Sequence, residues 1–190
     1  SATVMLSRDS ENNGEVESPR NLLAFAPFEQ EGANYTAQSG LTRNFNNLGA
    51  LPLTGYEARE IASFFRQRDT AWNFFFPEQA EVLTGRRASR NRVLNGVMND
   101  YGFIHFATHA FIHETNPSLS GIALHRGDDE NGMLFVSDIY NLSLNADLVV
   151  LGACETGLGE LHRGEGLIGF TRAFFYAGAS NLVVDRKSVV

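Results

Sequence analysis

The chain has a single cysteine, Cys154, so no disulfide can form within it. A small secreted scaffold stapled by disulfides is thereby excluded, and a reducing compartment, the cytoplasm, fits better. No apolar run approaches the roughly eighteen residues needed to cross a bilayer. The longest, such as Leu148–Ala153, are strand-sized. No signal peptide is visible. Positive charge is also scarce: 15 Lys and Arg against 22 Asp and Glu leave a net charge of −7. That balance argues against a surface built for nucleic acid or anionic membrane. What is present is globular: 43% apolar residues and only 19% charged ones, in a length of 190 that suits one domain. The chain opens on Ser1 rather than Met and is expected to be a piece of a longer protein at both ends.

The organisation follows from pattern and punctuation. Residues 1–20 are rich in Ser, Asn and Glu and read as a linker or frayed edge. Leu22–Phe28 is a short apolar run closed by Pro27, a first strand. Residues 29–50 are polar, an unusually long loop for a compact domain. Thr54-Gly-Tyr-Glu57 has the form of a capping box, with Ile61, Phe64 and Phe65 on one face of a helix ending near Arg68. Phe74–Phe76 and Glu81–Leu83 are strand-like. Ser89 is expected to cap a second helix that buries Val93, Leu94, Val97 and Met98.

Phe103–His109 is a continuous, mostly apolar run, typical of a strand buried on both faces. Loop follows through Gly132, with a short strand at Gly121–His125, and Ser137 caps a brief helix to Leu142. Asp147–Cys154 is the second buried strand, and Gly157 and Gly159 mark the loop after it. Gly166–Ala177 is an amphipathic helix stopped by Gly178, and Asn181–Val184 begins another strand. The last residues, 185–190, abandon the pattern and are set aside as a non-native tail, leaving residues 21–184 as the domain. Strands alternating with helices predict an α/β sheet, largely parallel, covered on both faces.

Two buried strands each end in a reactive side chain, His109 and Cys154. In open α/β sheets, sites form at the carboxyl ends of strands. If these strands are parallel neighbours, imidazole and thiol meet at one rim. A free thiol near pH 7 is mostly protonated, and a nearby imidazole can take its proton and later hand it to a leaving amine. The order His before Cys, 45 positions apart, matches a caspase-like spacing. Backbone N–H groups of Ala110 and Cys154 are the candidate oxyanion donors, and Gly152, Ala153 and Gly157 leave room for a substrate backbone. The plainer alternative for Cys154 is a buried packing residue. His105, mid-strand, reads as a hydrogen-bonded core histidine.

Other motifs weigh less. Gly164-Glu-Gly166-Leu-Ile-Gly169 matches GxGxxG, but a dinucleotide site needs it directly after a strand, and nine residues intervene after Cys154. His109, His113 and Glu114 lack the helical spacing of a zinc pair and an evident third ligand. Arg86, Arg87, Arg90 and Arg92 form a basic cluster whose usual meaning is a solvated surface, although a partner or RNA would also suit it. Glu155, next to the cysteine, reads as a local anchor or a substrate contact. No metal or organic cofactor is expected.

The chain resembles the CHAT family, bacterial relatives of caspases and separases. The matching stretches are Leu51-Pro52 with Glu57–Phe64 (EAREIASF), Val82–Gly85, His105–Ala110 (HFATHA) and Asn116–Leu124 (NPSLSGIAL). They continue through Ala146–Gly159 (ADLVVLGACETGLG) and Arg163–Ala179 (RGEGLIGFTRAFFYAGA), the ACETG and RGEG segments being the most specific. The resemblance implies a caspase-like α/β/α sandwich and a cysteine endopeptidase acting on a protein substrate. His109 and Cys154 match the family's catalytic pair. Ala110 stands where the family usually has Gly, and Gly152 where it usually has Ser. The family's segment after Val184, a further strand and a Trp-containing turn, is not found, so the sheet is expected to be incomplete at that end. The rival expectation is a catalytically silent interaction module of a larger signalling or defence protein, often fused to helical repeats; retention of both His109 and Cys154 favours the enzyme.

Overall fold

The computed structural model describes residues 2–7, 21–29, 48–66, 80–113, 116–126, 132–155 and 165–186; residues 2–4, 153–155, 165–167 and 185–186 are described by backbone alone. Its strands are β1 (Ala2–Ser7), β2 (Leu22–Ala26), β3 (Ala80–Thr84), β4 (Phe103–Phe111), β5 (Gly121–Ala123), β6 (Met133–Phe135), β7 (Leu148–Glu155) and β8 (Asn181–Arg186). Four α-helices are described: α1 (Pro52–Arg66), α2 (Arg90–Leu94), α3 (Val136–Ile139) and α4 (Glu165–Ala177).

The sheet runs in the order β1-β8-β7-β4-β2-β3. From β8 to β3 every neighbouring pair is parallel. Strand β1 closes one side antiparallel to β8, and the β5–β6 hairpin adds antiparallel to the end of β4. Parallel strands covered on both faces must be apolar throughout. Accordingly, β2 (LLAFA) is buried at every position, and β4 at all but Phe103 and Ala110.

The two faces of the sheet differ in the size of what they bury. One carries Leu23, Phe25, Leu83, Ile104, Phe106, Val149, Leu151 and Leu182, packed with Val93 of α2, Val136 and Ile139 of α3, and Phe170, Ala173 and Phe174 of α4. Phe25 and Phe106 stack there, ring centroids 4.9 Å apart and nearly coplanar. The opposite face is small: Ala24 and Ala26 meet Ala58 of α1, with Val82 beside them. The result is a three-layer α/β/α sandwich with α1 alone, among the described helices, on the small-residue face.

Several local expectations shift. Helix α1 begins at Pro52, two residues before the expected cap, because proline's fixed φ and missing N–H suit the first helical position. The Thr54 hydroxyl therefore donates back to the Leu51 carbonyl at 2.6 Å. Helix α2 is a single short turn, stopped by Gly96 at φ 83°; Val93 and Met98 are buried, but Leu94 stays 40% exposed. Helix α3 starts at Val136, not Ser137, and the Asp138 carboxylate accepts the Phe135 N–H at 3.0 Å.

Ala2–Ser7, within the stretch read as linker, pairs with β8 across its whole length. Strand β8 runs on through Asp185 and Arg186, the first residues of the segment set aside as a tail. The proposed strand at Phe74–Phe76 and the loop glycines 157 and 159 lie outside the described residues. Gly178 ends α4 as expected: it sits at φ 116°, and a Cβ there would run into the Leu144 carbonyl.

Candidate active site

Strands β4 and β7 are parallel neighbours, and their register sets His109 opposite Cys154. Register partners in a parallel ladder lie on the same face of the sheet, on strands about 4.8 Å apart. Both residues are near the carboxyl ends of their strands. The chain leaves β2 toward β3 on one side, and leaves β4 toward β7 on the other, so the connections diverge between β2 and β4. A crevice at such a switch point is where open α/β sheets place their sites. His109 stands near the end of β4, and Phe28 two residues past the end of β2.

The surroundings of His109 decide what its ring can do. The side chain is 3% exposed and edge-on to the Phe28 ring, centroids 5.3 Å apart. Its Nε2 lies 3.0 Å from the Gly49 carbonyl oxygen. A carbonyl can only accept, so Nε2 carries the hydrogen, and in the neutral ring Nδ1 holds the lone pair. Nδ1 is buried and has no hydrogen-bond partner among the described residues. Burial pushes the imidazole below its ordinary value of 6.5, with the Gly49 bond opposing in part. The ring is thus held neutral at physiological pH, oriented from behind, with its basic nitrogen uncommitted. Buried unpaired polar atoms are rare and are retained chiefly for chemistry.

The family model for the CHAT domain matches residues 4–190. The chain belongs to the CHAT domain family. That family is associated with caspase-like cysteine peptidases. Comparison with curated proteins gives no match. The match to the CHAT domain takes in β1 and reaches beyond β8, the stretches that composition alone had left outside the domain.

The other residues singled out in the sequence fall as follows in the CHAT domain. Ala110 follows His109 in β4 and pairs with Glu155 on one side and Ile122 on the other. His105 is 4% exposed, as a core histidine should be, but its Nε2 makes no hydrogen bond among the described residues. It lies 3.3 Å from Glu57 Oε1, an ion-pair distance without hydrogen-bond alignment. His113 is past the end of β4 and its Nδ1 already accepts the Asn116 N–H at 3.1 Å, while Glu114 lies outside the described residues. Gly166 and Gly169 belong to α4, and the residues between β7 and α4, Gly164 among them, lie outside the described residues.

Much of the arginine cluster is engaged: Arg87 pairs with Glu81 at 2.8 Å, Arg92 lies 3.8 Å from the same carboxylate, and Arg90 grips Asp138 with two bonds, at 3.0 and 3.3 Å. Tyr101 also donates to Glu81 at 3.0 Å, and burial, reinforced by that carboxylate, pushes its phenol up to about 12. Among the described residues no helix is long and apolar enough to cross a membrane.

Two contributors had no sequence signal. The Gly49 carbonyl is main chain, and every residue has one. Phe28 was placed only as the close of a strand; its edge contact with a histidine 81 residues later appears once β2 and β4 are adjacent.

The buried histidine makes stability depend on pH. The folded-state value of His109 lies below the unfolded one, so below about pH 6.5 the unfolded chain takes up a proton that the folded chain refuses. Stability therefore falls as pH drops from about 6.5 toward the folded-state value, with a limiting slope of roughly 1.4 kcal/mol per pH unit. Above pH 7 the contribution is constant. Urea midpoints between pH 7.5 and 5.5 are expected to fall on acidification, and to fall less steeply in His109→Gln than in wild type.

Proposed function

We propose that this CHAT domain is a cysteine endopeptidase in which Cys154 attacks a peptide carbonyl and His109 moves the proton. The observation that carries the reading is the register pairing of His109 with Cys154 on adjacent parallel strands. His109 Nδ1, the nitrogen left with a lone pair, takes the thiol proton. The thiolate adds to the carbonyl carbon, and the developing oxyanion is held by the backbone N–H groups of Ala110 and Cys154. As the tetrahedral adduct collapses, His109 gives its proton to the departing amine. Water, deprotonated by the same imidazole, then hydrolyses the thioester and frees the thiol. The Gly49 carbonyl takes the orienting role that an acidic side chain fills in a triad. The substrate is a protein or peptide with a preferred residue before the cut, and helical-repeat regions of the same full-length protein are the proposed recruiting partner.

The experiment is a peptide-library digest by the full-length protein, with and without iodoacetamide and with and without a chelator. Cleavage abolished by iodoacetamide and untouched by the chelator is the expected result. Cleavage that survives alkylation but is lost to the chelator would mean a metal hydrolase instead.

A further inference from the structure

Strand β4 places two buried histidines on the α1 face, four residues apart, and one chain segment meets both. The Gly49 carbonyl meets His109 Nε2 at 3.0 Å, and the Glu57 carboxylate meets His105 Nε2 at 3.3 Å. Little slack separates Gly49 from Glu57. The Leu51 N–H donates to the Phe28 carbonyl at 2.7 Å, Pro52 opens α1, and Thr54 ties the first turn back to the Leu51 carbonyl through both its N–H (3.0 Å) and its hydroxyl (2.6 Å). A shift of Glu57 along β4 therefore pulls on the segment that carries Gly49, which the Leu51–Phe28 bond also holds.

Apolar packing resists such a shift near the end of α1, where Phe65 meets Phe103 of β4 edge-on at 5.2 Å, and is thin nearer its start. The surface under α1 is made of Ala24, Ala26 and Ala58, with Val82 beside them, a shallow contact with few knobs to lock a position. Gly152 of β7 flattens it further: a Cβ there would lie 3.2 Å from His105 Cε1 and 3.5 Å from Glu57 Oε1. Arg66 bonds the Ala80 carbonyl of β3 and Arg59 pairs with Glu29, while the Glu57–His105 contact ties α1 to β4 four residues before His109, beside the strand that carries Cys154 two residues after Gly152.

We propose that Glu57 is a positioning residue of the peptidase: its contact with His105 fixes α1 along β4, so that the Gly49 carbonyl holds the His109 ring in the tautomer and orientation the dyad needs. This rests on the peptidase reading above. A merely structural Glu57 would affect stability alone.

The test uses the full-length protein with Glu57→Gln, which keeps size and shape, and His105→Gln as a second, independent break of the same contact. Both variants are expected to lose about tenfold or more in kcat with KM within about twofold. The acidic limb of their kcat/KM profile moves to lower pH, because the imidazolium loses the Gly49 acceptor. Nitrogen-15 spectra of the His109 ring, recorded in a Cys154→Ala background, are expected to change from one Nε2–H tautomer to a mixture. Wild-type kcat and pH profile in both variants, with only a lower melting temperature, would overturn the proposal. The ring spectra need no turnover. If no peptide is cut by any form, the peptidase reading fails, and an unaltered tautomer in the variants separately refutes the positioning role.

Discussion

Cys154→Ala is expected to bring peptide cleavage to background, a loss of about a thousand-fold or more in kcat/KM, because no other cysteine exists in the chain to replace the nucleophile. His109→Ala is expected to lose about 10²–10⁴-fold, the usual worth of a positioned base. The two losses differ in kind. Without His109 the thiol still ionises near its ordinary value of about 8.5, so the residual rate of that variant should climb through pH 8 to 9. The Cys154→Ala rate should stay flat. Neither loss reflects unfolding. Removing the His109 ring forfeits its edge contact with Phe28 and one bond to the Gly49 carbonyl, but it also removes a buried nitrogen with no partner among the described residues. Those effects oppose in part, but the buried ring also leaves a cavity, so stability is expected to fall by about 1–3 kcal/mol with the fold retained. Rates on a cleavable peptide across pH 6–9, with a melting curve for each variant, check all of this.

The largest effect on the fold is expected one residue position before the small-residue face resumes, at Phe106. Its side chain is completely buried on the opposite face, stacked on Phe25 at 4.9 Å and tilted against Phe174 of α4 at 6.2 Å. It joins the central strand to the helix layer. Phe106→Ala leaves a cavity that neighbours in three different elements can only partly fill, at a cost of about 3–5 kcal/mol. Set against the 5–15 kcal/mol that holds a typical domain together, that is roughly a third or more of the total. Urea denaturation should show a much lower midpoint with an unchanged slope. Phe106→Leu, which keeps most of the volume, should recover more than half of the loss.

The parts of this architecture that were legible in the sequence are those whose signal is local and strong. The runs at Phe103–His109 and Asp147–Cys154 contain little but apolar residues, and strands buried on both faces look like that. Their ends announced His109 and Cys154, and Gly178 announced the end of α4. Boundaries were less legible. Thr54 and Glu57 have the spacing of a capping box, yet Pro52 starts the helix earlier, and Glu57 is used 48 residues away at His105.

The edge strand β1 was missed because Ser, Asn and Glu follow it closely, and an edge strand needs apolar residues on one side only. Strand β5 falls within the short strand expected at Gly121–His125, whereas β6, of three residues, is too short for periodicity to register. Of the candidate site, the placement of His109 and Cys154 at register positions on neighbouring parallel strands was expected from residue type and spacing. The orienting carbonyl of Gly49 and the partnership of Phe28 depend on chain crossings that no local pattern encodes.

The most direct test of an imidazole coupled to a thiol needs no substrate. The rate of Cys154 alkylation by iodoacetamide, followed from pH 4 to 10 in wild type and in His109→Ala, reports the proton equilibrium of the thiol in each. The account predicts that wild type alkylates well below pH 8.5 and that the variant reverts to a single titration near that value. Superimposable profiles in the two proteins would show that His109 and Cys154 do not share a proton, and would contradict it.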